Sequence, residues 1–121
     1  MFDLSSPVSH MCFDAVDGLR VIVVLPSFSS EEATLGSLKE MIEQVRELSP
    51  NAIESVSCSY PRRYVKFTSG GEIIFLSEQS RGSGRGLSGD RLYIRHGVSE
   101  ETRRSMLPVV CARPGGMITY F

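Results

Sequence analysis

The sequence contains no apolar run that could cross a membrane: the longest, residues 21–26, is far short of the roughly 20 residues a spanning helix requires. The first residues, Met1-Phe2-Asp3-Leu4, lack the basic start and apolar stretch of a secretion signal, so a cytoplasmic location with no membrane partner is expected. Cysteine is scarce. Cys12, Cys58 and Cys111 are widely spaced, odd in number and without a C-x-x-C pair, which argues against a disulfide framework and a zinc site and for buried thiols. His10 and His96 are far apart, and the Arg95 charge beside His96 disfavours metal binding, so no metal is expected. No phosphate loop of the form G-x-x-x-x-G-K followed by serine or threonine occurs, which removes the usual lysine and hydroxyl for triphosphate and magnesium. No serine stands in G-x-S-x-G and no carboxylate pair has acid/base spacing. No residue is therefore nominated as catalytic, and no cofactor is expected.

What remains is an ordinary globular composition, 41% hydrophobic and 22% charged, in a chain of 121 residues that has room for one domain and one core. The net charge of -1 hides an asymmetry. Residues 1–60 carry three basic side chains (Arg20, Lys39, Arg46) against nine acidic ones, and residues 61–121 carry ten basic against five acidic. Two readings stay open: a basic second half that faces an anion such as DNA, or two solvated surfaces that partly neutralise each other.

Along the chain, residues 1–19 form a mixed N-terminal segment with a short helix stopping at Asp17-Gly18. Arg20-Val21-Ile22-Val23-Val24-Leu25-Pro26 is a β-branched run that reads as a central strand buried on both faces. Ser29 and Glu32 fit a capping box, and Leu35, Leu38, Ile42, Val45 and Leu48 repeat by three and four, predicting an amphipathic helix over residues 30–48. A strand followed closely by such a helix is the first half of a βαβ unit. Residues 53–59 are a weak strand candidate. Residues 64–67 and 72–76 flank Thr68-Ser69-Gly70-Gly71, whose glycines tolerate positive φ, and predict a β-hairpin. Residues 77–90 are a glycine- and serine-rich loop, residues 91–94 a short strand, residues 99–107 a helix N-capped by Ser99, and residues 117–121 a final strand.

Gly84-Arg85-Gly86-Leu87-Ser88-Gly89 matches G-x-G-x-x-G, but it leads into a strand instead of opening a helix, so it reads as a flexible loop rather than a dinucleotide cradle. A weaker form survives, in which Arg81 and Arg85 meet nucleic-acid phosphates while the glycines permit close approach.

The ordered set of segments in residues 20–121 resembles the ATPase domain of tailed-phage large terminase subunits, the motors that package DNA. Residues 20–26 followed by residues 29–42 look like the strand and helix after that family's nucleotide-binding helix. Residues 64–76, with Phe67-Thr68-Ser69-Gly70-Gly71, look like its hairpin; residues 81–90 resemble the loop entering its acidic strand, and residues 107–114 the segment after it. The resemblance implies an Asp-Glu pair, which positions magnesium and the attacking water, at the end of the strand that here reads Leu92-Tyr93-Ile94. Arg95-His96-Gly97 stands there instead. The phosphate loop would precede the part of the family that this chain matches, and the hydrolysis-coupling segment would begin at about Phe121.

The expected fold is therefore α/β, a three-layer domain over residues 1–121: a mostly parallel sheet with a β-hairpin, truncated and P-loop-ATPase-like, covered by the helices near 30–48 and 99–107. The expected function is a non-catalytic phage- or prophage-encoded interaction or assembly module in the host cytoplasm, whose partner is terminase, another capsid-associated protein or itself. Two alternatives come from other classes: a nucleic-acid-binding protein using Arg62, Arg63, Arg81, Arg85 and Arg91, and an ATPase half completed in trans by another chain.

Overall fold

In a computed structural model of the chain, the described residues are 7–25, 43, 46–47, 50–57, 63–77, 88–108 and 116–120. They form helix α1 (Pro7–Val16), strands β1 (Arg20–Leu25), β2 (Ile53–Ser57), β3 (Arg63–Phe67), β4 (Glu72–Ser77) and β5 (Arg91–Ile94), helix α2 (Glu100–Met106) and strand β6 (Met117–Tyr120). The strands make one sheet in the order β2-β3-β4-β1-β5-β6. β1 runs parallel to both β4 and β5, and β6 parallel to β5, while β2 and β3 add to β4 as an antiparallel meander. The fold is thus the expected α/β arrangement, a mostly parallel sheet with an embedded hairpin.

β1 sits in the interior because its side chains are apolar on both sides. Val21, Ile22, Val23, Val24 and Leu25 are all buried. Val21, Val23 and Leu25 join Val65, Phe67, Ile73, Phe75 and Tyr93 in one cluster with Met11, Cys12 and Ala15 of α1. Ile22 and Val24 join Leu76, Leu92 and Ile94 in a second cluster with Val98 and Met106, at the other face. Each fully buried side chain of this size contributes roughly 1.5–3 kcal/mol of transfer free energy, so the two clusters dominate the stability of the sheet.

The layer against the first cluster is α1. The sequence pattern predicts that residues 30–48 cover the sheet; that segment lies outside the described residues, apart from Glu43, Arg46 and Glu47, which are helical and exposed. α1 is easily overlooked in the sequence because its apolar residues do not form a clean stripe: Met11, Cys12 and Ala15 are buried, but Phe13 and Val16 are exposed. Gly18 ends it with φ 91 and donates to Ala15 O at 3.0 Å, the left-handed cap that only glycine adopts cheaply.

The hairpin turn docks onto the end of α1. Ser69 Oγ donates to Ala15 O at 2.8 Å, and Glu72 N–H to Leu19 O at 3.1 Å. Of the two glycines, Gly70 supplies the positive φ of 93, and Gly71 supplies closeness: a Cβ there would collide with the Ala15 carbonyl oxygen. The strand starts are tied together by Arg20. Its Nε is 2.8 Å from Glu72 Oε1, and its N–H donates to Asp90 Oδ2 at 2.9 Å. Cys12 is a buried, unbridged thiol, as its spacing predicts; Cys58 and Cys111 lie outside the described residues. None of the described helices is long and apolar enough to cross a membrane.

Candidate functional site at the rim of the parallel strands

Because β4, β1, β5 and β6 are parallel, their C-terminal residues Ser77, Leu25, Ile94 and Tyr120 share one rim of the sheet. β3 starts at the same rim, since Arg63 pairs with Phe75 in antiparallel register. Open α/β sheets bind ligands outside this rim, where the chain leaves neighbouring strands in opposite directions. Here that place is the β1/β5 junction: β1 is followed by strands on the β4 side, and β5 by α2 and then β6 on the other.

The turn Arg95-His96-Gly97-Val98 forms the rim at this junction. Arg95 N–H donates to Val24 O at 3.0 Å, which extends the β1 ladder one residue past β5 and fixes the arginine at the edge. Val98 N–H donates back to Arg95 O at 3.3 Å, Gly97 takes φ 101, and the Val98 side chain is buried in the second cluster. Ser99 then caps α2: its Oγ accepts from Thr102 N–H at 3.3 Å and donates to Thr102 Oγ1 at 3.0 Å. With the backbone pinned on both sides, Arg95 and His96 are held exposed at the rim. A guanidinium and an imidazole are donors suited to an anion, whereas a hard divalent cation seeks carboxylate oxygens. The acids of the adjoining helix turn are Glu100 and Glu101, and Glu100 is paired with Arg104 at 2.8 Å. Among the described residues no group of three or more His, Cys, Asp or Glu could hold a metal ion.

The arginines nominated from sequence separate in space. Arg63 begins β3 at the rim, the same rim as Arg95 and His96. Arg91 is at the far end of β5, where its Nη1 donates to Asp90 O at 2.9 Å and its Nε lies 3.7 Å from Asp14 Oδ2. Its guanidinium is engaged within the protein. Arg62, Arg81 and Arg85 lie outside the described residues, as does most of the Gly84–Gly89 motif. Gly89, the motif's last glycine, is buried against Ile22 and leads into β5 rather than into a helix.

One polar constellation joins residues far apart in the sequence. Tyr93 OH donates to Asp14 Oδ2 at 3.0 Å across 79 residues, linking β5 to α1. Burial pushes the Tyr93 hydroxyl well above its ordinary range, the Asp14 charge and hydrogen bond push it further, and Arg91 partly opposes them. Burial also raises the neighbouring Cys12 thiol to about 12. Both groups stay protonated at neutral pH, so this is a structural clasp rather than a proton-transfer centre. No local pattern marks Asp14 as a partner; only the folded sheet brings it to Tyr93.

No protein family and no curated protein matches the sequence. Among solved structures, the chain is similar to a mutant of the large terminase ATPase domain of Thermus phage P74-26, with a TM-score of 0.59 and 17% identity over 93% of this chain. The match spans 52% of that domain's chain, so this chain corresponds to about half of it. At that identity the likeness establishes the fold: an α/β, terminase-ATPase-like sheet, with the Arg95-His96 turn at the end of its fifth strand.

Proposed function

We propose that this chain is a non-catalytic, terminase-like phage protein that acts as an interaction or assembly module in or around DNA packaging. The observation that carries the reading is the rim turn after β5. The resemblance to large terminases calls for an Asp-Glu pair at this position, to hold magnesium and orient water. Arg95 and His96 stand there, exposed and backbone-fixed. A guanidinium repels the dication that a carboxylate would attract, and electrostatic clamping of the phosphates by magnesium is most of what a phosphoryl-transfer site does. The terminase-like fold supports a place near the packaging machinery, and the rim supports a role other than hydrolysis.

The test is a coupled hydrolysis assay on the purified chain with magnesium and ATP, repeated with terminase from the same phage and with DNA. The chain alone is expected to show no turnover above the blank, and to bind terminase or a capsid-associated protein when those are supplied purified. Turnover that scales with the concentration of this chain would sink the reading. If turnover arises only in the mixture and vanishes when this chain is left out, the chain is an ATPase half completed in trans.

A second reading, binding of nucleic acid, is favoured by one topological fact. Arg63 and the exit of β4, toward the segment carrying Arg81 and Arg85, open on the same rim as Arg95. Under it, binding to mixed-sequence DNA weakens steeply as salt rises from about 50 to 200 mM. No retention at low salt excludes it.

A further inference from the structure

β6 ends the sheet and, among the described residues, pairs only with β5. The two edges of the sheet are built differently. At the β2 edge, Glu54 is exposed and the register shifts between Ile53 and Ser55, both devices that discourage another strand from adding on. β6 has neither: it reads Met117-Ile118-Thr119-Tyr120, without a charge or a proline, and its register with β5 is unbroken. Met117 is 55% and Tyr120 49% exposed.

The backbone shows which groups face outward. Met117 N–H donates to Asp90 O at 3.3 Å, so Met117 and, two residues on, Thr119 turn their N–H and C=O toward β5. Ile118 and Tyr120 turn theirs away from β5, to the side where no strand among the described residues pairs. We propose that β6 is a pairing edge and that its partner is β6 of a second copy of this chain, antiparallel across a twofold axis through Thr119. In that register Ile118 and the second copy's Tyr120 exchange hydrogen bonds, and Thr119 meets its own copy at the more closely spaced position. The pairs formed are β-branched against aromatic and threonine against threonine, both favourable across antiparallel strands, and no like charges on β6 are brought together. Ile118 packs with the α2-side cluster, and the Tyr120 ring lies 5.8 Å from the Arg103 guanidinium of α2, so the strand is already ordered for docking. The twofold keeps the α2 side of both copies on one side of a continuous sheet and closes the assembly as a dimer.

This inference deepens the assembly reading and rests on it for the biological role, but its test is separate. Light scattering on the full chain over a wide concentration range is expected to approach twice the 13.4 kDa chain mass. Tyr120→Pro removes an outward N–H while sparing the β5 ladder, and is expected to return the mass to that of one chain with an unchanged circular dichroism spectrum. Thr119→Cys is expected to give a covalent dimer on oxidation, while the wild type and Glu54→Cys do not. A wild-type monomer at every concentration, or a dimer that persists in folded Tyr120→Pro, overturns the proposal. A monomer that still binds terminase defeats this inference and leaves the assembly reading standing; a β6 dimer indifferent to phage proteins does the reverse.

Discussion

At the scale of single residues, Gly70 and Gly71 are adjacent and do different things. Gly70 holds a positive φ in open space, whereas at Gly71 an added methyl would strike the backbone carbonyls of Ala15 and Leu19. Backbone cannot swing aside as a side-chain tip can. Gly71→Ala is therefore expected to cost about 1–3 kcal/mol in urea unfolding, as overpacking does, and more than Gly70→Ala. The reverse ranking would contradict the docking of the hairpin on α1. Cys12 and Tyr93 make a second prediction, about pH. Both are raised above their unfolded values of 9.0 and 10.0, so the unfolded chain gives up these protons first. Their contribution is complete below pH 9 and is lost as pH rises toward the folded values. Urea midpoints measured from pH 7 upward should stay level to about 9 and then fall. In a Cys12→Ala, Tyr93→Phe double variant the alkaline fall should be much shallower.

At the scale of elements, α2 depends on its cap. Ser99 Oγ accepts from Thr102 N–H and donates to Thr102 Oγ1, and Thr102 is itself buried. Ser99→Ala is expected to destabilise the protein by about 1 kcal/mol, and Ser99→Gly by only about a few tenths, read from the same urea curves. The elements legible in the sequence are those whose signal is local: the apolar run of β1, the glycine turn between β3 and β4, the Ser99 cap, and the short apolar strands β5 and β6. α1 is legible as a helix stop at Gly18 but not as a layer of the fold, because Phe13 and Val16 break its stripe. The site divides along the same line. That Arg95 and His96 end a strand can be read from the residues around them. That Arg91 is engaged by Asp14, while Arg63 shares the rim with Arg95, depends on strand order and on contacts across the whole chain, which no window of sequence contains.

At the scale of the whole molecule, the parallel strands β4, β1, β5 and β6 all end at one rim of the sheet. The connections switch direction at β1/β5, where the exposed Arg95-His96 turn lies; in the proposed reading these two residues take the place of the acids that metal-assisted hydrolysis needs. The two ends of β5 have separate duties. The Arg91 end joins the internal network with Asp14 and Asp90, and the Arg95 end meets solvent. The non-catalytic reading of the Arg95-His96 rim is tested by calorimetric titration of the purified chain with magnesium-ATP at millimolar concentration. No saturable heat is expected, and none in Arg95→Ala. Saturable one-to-one binding that requires magnesium and is weakened by substitution at Arg95 or His96 would contradict it.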